Sequence, residues 1–396
     1  MAQTADMRKG WICAAAAFVL GTAVFTGMAQ GGKIDVRAEE VSANCKASYL
    51  MDDASGVQMY ADNECKRLPI ASMCKIMTLL LAFEAADAGD LSYEEEFAVS
   101  ERAAGMGGSQ VFLGAGLVYR VDELLKSIAV CSANDSCVAI AERLAGSEEA
   151  FCERMNARAK ELGAENTLFA NCTGLPKEPQ YSCAKDVALM LRELIRHEKY
   201  HEYARIRLED FLHPDGRTTQ MTNTNKLIRQ YDGCDGGKTG FTNEAGFCLA
   251  ASAKRAEMRV IAVVIGSSDS KARFEATTSL FDYAFQNFES KTYLAAGEPL
   301  EDEISVRGSE VRSMKIAASS PLCVLRRRGM EEDYTLHYEL EDALTAPVSK
   351  GETIGYAVLL RDGVEVMRTD LVACGEAQRF AWWEAYRENA RHWNIV

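Results

Sequence analysis

The chain has 396 residues, 48% of them hydrophobic, which is enough for a sizeable core and for two folded domains. A formal charge of −14 argues against non-specific nucleic-acid binding, which needs a basic surface to neutralise phosphates, and no phosphate-loop motif is present. The thirteen cysteines are odd in number, lack zinc-type pairing and often lie in apolar or helical runs, as do Cys137, Cys152, Cys248 and Cys323. They are expected to be mostly free, buried thiols.

In chain order, Arg8 and Lys9 precede an apolar run from Trp11 to Phe25, and the small residues Gly27 and Ala29 follow. This is the order of an export signal, so residues 1–38 are read as a signal peptide cleaved between Ala29 and Ala38. A retained membrane helix is the alternative, because Trp11 to Ala29 is nearly long enough to span. Residues 45–50 and 57–61 flank the turn composition Asp52-Asp53-Ala54-Ser55-Gly56 and predict a β-hairpin.

The stretch 69–86 predicts a helix that is apolar almost all round and therefore buried. Ser72 falls in its first turn, near unpaired backbone N–H groups and the positive end of the macrodipole. Lys75 is three residues on and shares its face, so serine and lysine make a candidate nucleophile and base. Two further Ser-x-x-Lys matches read differently, Ser182 as a helix cap and Ser268 in a solvated turn.

Beyond it, 96–100 predicts a strand and 122–129 a helix capped by Asp122, broken at Cys131-Ser132-Ala133-Asn134-Asp135. Helices follow at 136–145, 147–162 and 185–196, then apolar strands at 247–253 and 259–265, and a last helix at 271–288. Strands at both ends with helices between imply an α+β fold, an antiparallel sheet with helices packed on it, over 39–290. Residues 291–376 lose helical periodicity and predict a small all-β sandwich, with strands at 311–317, 322–326, 334–338, 353–360 and 364–371. The triplet Arg326, Arg327 and Arg328 reads as a solvated turn. The segment 377–396 carries Phe380, Trp382, Trp383, Tyr386 and Trp393 and predicts an amphipathic helix lying on a membrane surface, or else docked on its own domain.

Three short motifs fall in order on helix start, loop and strand: Ser72-Met73-Cys74-Lys75, Ser132-Ala133-Asn134 and Lys238-Thr239-Gly240. Together they resemble the penicillin-interacting serine enzymes, which include D-alanyl-D-alanine peptidases and class A β-lactamases. Ile70-Ala71-Ser72, Gly108 to Leu113, Asn223-Thr224-Asn225-Lys226-Leu227, Asp235 to Gly240 and Ala272-Arg273-Phe274 are similar, more narrowly, to the low-molecular-mass D-alanyl-D-alanine carboxypeptidases.

That resemblance implies a β-lactamase/transpeptidase-like domain and a serine carboxypeptidase acting on peptidoglycan stem peptides that end in D-Ala-D-Ala. It implies export to the outer face of the cytoplasmic membrane, β-lactams as covalent inhibitors, and no cofactor. Ser72 would be the nucleophile, Lys75 its base if its pKa is pulled down by burial and by Lys238, and Ser132 the proton relay to the leaving amine. Asn134 would hold the substrate amide, and the backbone N–H groups of Ser72 and Phe241 would form the oxyanion hole. Lys238, Thr239 and Arg273 would bind the terminal carboxylate, with Gly240 completing the strand motif.

Phe241 stands where relatives usually carry a polar or histidine side chain, and Thr173 stands at another spot often held by histidine. Cys74 and Cys131 flank catalytic positions as small space-fillers, and His197, His201, His213, His337 and His392 give no case for a metal. A class A-like β-lactamase and a non-catalytic penicillin-binding sensor are the rival readings. The first lacks a Glu-x-x-Leu-Asn pattern between Ser132 and Lys238, and the second is disfavoured by the intact Ser132, Asn134 and Arg273.

Overall fold

The computed structural model describes residues 44–330 and 332–381; the expected signal segment lies outside them. A hairpin of β1 (Ala47–Asp52) and β2 (Gln58–Asp62) comes first, as expected. A 3-10 turn, Ala71–Cys74, then runs into α1 (Lys75–Asp87). β3 (Glu96–Ala98), α2 (Glu101–Ala104), β4 (Val118–Arg120), α3 (Val121–Cys131), α4 (Asn134–Ala145) and α5 (Glu148–Glu161) follow. Next come α6 (Ala184–Leu194), α7 (Glu198–Ala204), the small hairpin of β5 (Leu208–Leu212) and β6 (Thr218–Thr222), and α8 (Leu227–Gln230). Three long strands, β7 (Cys234–Thr242), β8 (Gly246–Arg255) and β9 (Met258–Ser267), lead to α9 (Ser270–Asn287).

The main sheet has the order β2-β1-β9-β8-β7 and is antiparallel throughout. Successive strand residues face opposite sides, and here both sides are covered. Tyr49, Met51, Ala250, Ile261, Val263 and Ile265 join one core with the helices that precede the long strands. Leu50, Leu249, Ala251, Val260, Ala262 and Val264 join a second core with Phe274, Leu280 and Phe281 of α9. Burial on both faces is why β8 and β9 read as unbroken apolar runs rather than as alternating ones. Helix α1 is buried along Ile76, Met77, Leu79, Leu80, Ala82 and Phe83, which fixes the position of everything at its start.

Two predicted caps differ. Asp122 sits inside the first turn of α3, whose N-cap is Arg120, because the strand β4 runs directly into the helix. Ser182 does not cap α6; its backbone bridges Leu68, its hydroxyl meets Thr167 at 2.7 Å, and Cys183 takes the cap position.

The remaining strands are β10 (Phe288–Leu294), β11 (Pro299–Arg307), β12 (Ser313–Ala318), β13 (Leu322–Arg327), β14 (Tyr334–Leu340), β15 (Ala343–Thr345), β16 (Thr353–Arg361) and β17 (Val364–Ala373). Six of them form a sheet of order β14-β16-β17-β12-β11-β15, and β10 pairs with β13. They enclose a third core around Ile304, Met314, Ile316, Leu359 and Leu371. The expected boundary at 290/291 falls inside β10. Arg326 is no solvated turn residue, since it pairs with Glu289 of β10 at 2.7 Å. The helix expected from Ala377 does not begin there: Ala377 is buried and exchanges two 2.9 Å backbone bonds with Val348, an extended pairing that a helical turn would break. Residues 382–396, with the tryptophans of the expected amphipathic helix, lie outside the described residues.

Candidate active site

Ser72 lies on the 3-10 turn rather than on the α-helix itself. A 3-10 helix has three residues per turn, so side chains three apart eclipse. The Lys75 ammonium accordingly donates to Ser72 Oγ at 3.0 Å and also to the Thr173 carbonyl, while Lys75 is fully buried and Ser72 is half-buried. The turn starts at Ala71 with φ +48°, and two glycines let other segments close on it. A Cβ at Gly174 would lie 2.0 Å from the Ala71 oxygen, and one at Gly240 would lie 2.7 Å from the Ile70 oxygen and 3.2 Å from the Ser72 nitrogen. Close backbone approach is what only glycine allows. It sets the Gly240–Phe241 end of β7 beside the Ser72 amide.

The carbonyl that Lys75 grips is aimed by a pinned loop. Asn171 Oδ1 accepts from the amides of Thr173 (3.1 Å) and Gly174 (2.7 Å), and Thr78 Oγ1 donates from α1 to the Cys172 oxygen at 2.7 Å. Cys74 Sγ donates to the Asn171 oxygen at 3.2 Å, a packing and capping role consistent with a thiol that burial holds well above its ordinary pKa. Sequence reasoning noticed Thr173 for its side chain and missed its carbonyl; the turn-forming Asn171 and Gly174 were the available signal.

The second wall is the junction of α3 and α4. Ser132 ends α3 in the left-handed region at φ 68°, and Asn134 opens α4. The Asn134 amide donates to the Ser109 oxygen and its Nδ2 to the Gly107 oxygen, both at 2.7 Å. The buried Asp135 carboxylate accepts from the amides of Val111 and Leu113, each at 3.1 Å, so the 107–113 segment is tied to this junction. Burial raises the Asp135 pKa. Ser132 Oγ and Asn134 Oδ1, in contrast, are buried without a hydrogen-bond partner among the described residues. Such orphans cost about 1–3 kcal/mol each and call for an explanation. Cys131 is a filler beside them, its thiol pushed up to about 11 by burial.

The third wall is β7. Lys238 is buried, donates, among the described residues, only to the Thr239 oxygen at 3.2 Å, and has its ammonium pushed down to about 7, first by burial and then by the charge of Lys75. Thr239 is buried beside it. Tyr200 holds the strand from behind, its hydroxyl accepting from the Gly237 amide at 2.9 Å. Arg273 of α9 donates to the Gly240 and Cys248 oxygens at 3.1 and 3.3 Å, and its Nε has no partner. No carboxylate among the described residues pairs with this nearly buried cation, whose guanidinium lies 4.8 Å over Phe274, and burial lowers its pKa. Phe241 is half-exposed and packs at a tilt on Phe247, ring centroids 4.3 Å apart. Among the described residues no group of three or more His, Cys, Asp and Glu could hold a metal ion.

The arrangement supplies a serine hydroxyl held by a buried amine, a Ser72 amide closely approached by Gly240, two cations without a carboxylate partner and two polar atoms without partners among the described residues, which suits acyl transfer on an anionic substrate. Residues 34–269 match the D-alanyl-D-alanine carboxypeptidase family, and residues 288–379 match the C-terminal domain of penicillin-binding protein 5. The chain is 40% identical over 354 residues to D-alanyl-D-alanine carboxypeptidase DacF of Bacillus subtilis, covering 89% of this chain and 90% of that protein. It is 32% identical over 380 residues to DacC of Escherichia coli, covering 94% and 92%. Among solved structures, penicillin-binding protein 5 of Haemophilus influenzae superposes with a TM-score of 0.66 at 30% identity, covering 85% of this chain and 98% of that one. Likeness that runs through the motifs, both parts of the chain and the fold reflects common descent: the chain belongs to the D-alanyl-D-alanine carboxypeptidase family.

Proposed function

We propose that this protein is a serine carboxypeptidase that removes the terminal D-alanine from peptidoglycan stem peptides ending in D-Ala-D-Ala. The observation that carries the reading is the Lys75–Ser72 hydrogen bond, made beside Gly240 on a turn that glycines alone permit. Burial, and then the charge of Lys75, push the Lys238 ammonium down to about 7, so near neutral pH a neutral amine is present in the site. Ser72 Oγ attacks the scissile carbonyl carbon and passes its proton to Lys75. The carbonyl oxygen takes the negative charge and is held by the Ser72 and Phe241 backbone N–H groups, donors worth about 3–4 kcal/mol.

Collapse breaks the C–N bond, and the leaving nitrogen receives its proton through Ser132 Oγ, whose hydroxyl has no competing partner among the described residues. D-alanine departs and an ester on Ser72 remains. Water then attacks that ester, gives a proton to the lysine pair, and returns Ser72 to its hydroxyl form. Lys238, Thr239 and Arg273 grip the substrate's terminal carboxylate, which selects a chain end over an internal bond. Asn134 Oδ1 accepts from the substrate amide. A β-lactam presents a strained amide to the same serine and acylates it.

On the same footing, residues 39–290 form the catalytic domain and 291–376 an appended β domain joined at β10. The protein works outside the cytoplasmic membrane, with residues 1–38 as export signal and the aromatic segment that follows Ala377 as the membrane-surface element; no helix of the described residues is long and apolar enough to cross a membrane. The test is D-alanine release from a peptide ending in Lys-D-Ala-D-Ala by the exported form of the protein. Release that stops in Ser72→Ala and is blocked by penicillin supports the reading, and absence of release refutes it.

A further inference from the structure

His213 belongs to none of the three motifs, yet it closes a hydrogen-bonded chain that reaches a wall of the active site. It lies just past β5 and is 5% exposed, its ring packed against Tyr119 of β4 and Phe211 of β5 with centroids 5.9 and 5.0 Å apart. Nδ1 faces the Tyr119 hydroxyl and Nε2 faces Thr219 Oγ1 of β6, each at 3.0 Å. The outer ends of the chain are backbone. The Gly114 amide donates to the Tyr119 oxygen at 2.9 Å, and Thr219 Oγ1 donates to the Val111 carbonyl at 3.0 Å.

Those ends fix the direction of every link, because a hydroxyl has a single proton to give. Thr219 gives its proton to Val111, so it accepts from His213, and Nε2 carries the hydrogen. A neutral ring then offers Nδ1 as acceptor, and Tyr119, whose oxygen already accepts from Gly114, donates to it. An imidazolium is a donor at both nitrogens. It would turn Nδ1–H toward the Tyr119 oxygen and leave the Tyr119 proton without an acceptor among the described residues. Burial first, and then the charge of Arg217, hold the ring below its ordinary 6.5 and so keep it neutral, while Asp215, Asp135 and the Val111 carbonyl act in the opposite sense.

What the chain holds is the 107–114 segment. The far side of that segment is tied to the Ser132–Asn134 junction, where the Gly107 and Ser109 carbonyls accept from Asn134 and the Val111 and Leu113 amides donate to Asp135. Arg217 adds two 3.4 Å bonds to the Phe112 carbonyl. Between these ties Phe112 is 54% exposed and stands at φ +64°, a conformation that an aromatic residue keeps only where its surroundings enforce it. The segment is thus clamped between the β5–β6 hairpin and α4. The Asn134 side chain can be placed no more firmly than the carbonyl that holds it.

We propose that His213 is a positioning residue for acylation: in its neutral form it ties the 107–114 segment to the β5–β6 hairpin and so holds Asn134 in place for the substrate amide, and its protonation in acid loosens that hold and slows the reaction. This rests on the function proposed above, and the test separates the two.

Two variants are compared with the unaltered protein. His213→Leu removes both links, whereas His213→Gln is neutral at every pH and keeps one acceptor and one donor on its side chain. Acylation by a labelled penicillin and kcat/KM for D-alanine release are each measured from about pH 5 to about pH 8. At about pH 7.5 His213→Leu should be slower by about 10–10²-fold, the cost of a misplaced binding group, and His213→Gln should recover most of that loss. On acidification the unaltered protein should lose about tenfold more rate than His213→Gln, because the active-site lysines titrate alike in both. A His213→Leu variant as fast as the unaltered protein overturns the proposal, as does a His213→Gln profile parallel to the unaltered one. A His213→Gln variant as slow as His213→Leu would make the ring a packing group and also overturns it. If His213→Leu is unfolded at the assay temperature, the His213→Gln profile decides alone. Acylation without D-alanine release in the unaltered protein overturns the carboxypeptidase reading, and the acylation profiles still judge His213.

Discussion

The two sides of the site are built on opposite principles. The Ser72–Lys75 side is satisfied before any substrate arrives: Lys75 holds Ser72 Oγ and the Thr173 carbonyl, and that carbonyl is held by its own loop. The Ser132–Asn134 side is left open, with two buried polar atoms lacking partners among the described residues and Ser132 in a left-handed conformation that costs a non-glycine residue about 1 kcal/mol. The difference teaches where preorganisation is spent. In the proposed mechanism the nucleophile and base are fixed in advance, while the groups that would meet a changing substrate keep their hydrogen-bonding capacity in reserve.

Breaking the satisfied side should have the larger effect. Lys75→Met conserves volume and removes the base, so the acylation rate measured with a labelled penicillin should fall by about 10³–10⁴-fold. Because the Thr173 carbonyl also loses its partner, thermal unfolding should show destabilisation of about 1–3 kcal/mol. An unchanged acylation rate would remove Lys75 from the mechanism.

On the open side, activity and stability should part company. Ser132→Ala deletes a hydroxyl that has no partner among the described residues, so stability should hold or rise, while kcat/KM for D-alanine release drops by about 10²–10³-fold. A comparable loss of stability would mean that the hydroxyl is a structural group, and the contrast between the two sides would fail.

Lys238 sharpens the comparison through pH. Its ammonium titrates near 7 in the folded chain and near its ordinary ~10.5 unfolded, so between those values the unfolded chain binds more protons and this group's contribution to stability rises with pH. The buried thiols act in the opposite sense above about 9, since Cys137 and Cys234 are pushed up to about 12. Measured from about pH 6.5 to about pH 8.5, the unaltered protein should gain of order 1 kcal/mol relative to Lys238→Met. A parallel pair of curves would show that the depressed ammonium is absent.

Much of this was legible in the sequence, and the boundary of legibility has physical reasons. The apolar α1, the two-faced β8 and β9 and the order of the three motifs are written in side-chain type and period. The short elements α2, α7 and the β5–β6 hairpin were missed because they span too few residues for a period to appear. The 3-10 geometry at Ser72 depends on Gly174 and Gly240 closing from distant parts of the chain, and the Thr173 contact is made by a carbonyl that every residue possesses. Ala377 looked helical beside its aromatic neighbours but is claimed by Val348, a tertiary contact that local pattern cannot express.

The most direct test of the account is the site of covalent attachment. After exposure to penicillin, the intact mass should rise by one antibiotic molecule, proteolysis should locate the gain on the peptide that contains Ser72, and Ser72→Ala should show none. A gain that persists in Ser72→Ala, or that maps to any other residue, would contradict the assignment of Ser72 as nucleophile and with it the division of labour between the two sides of the site.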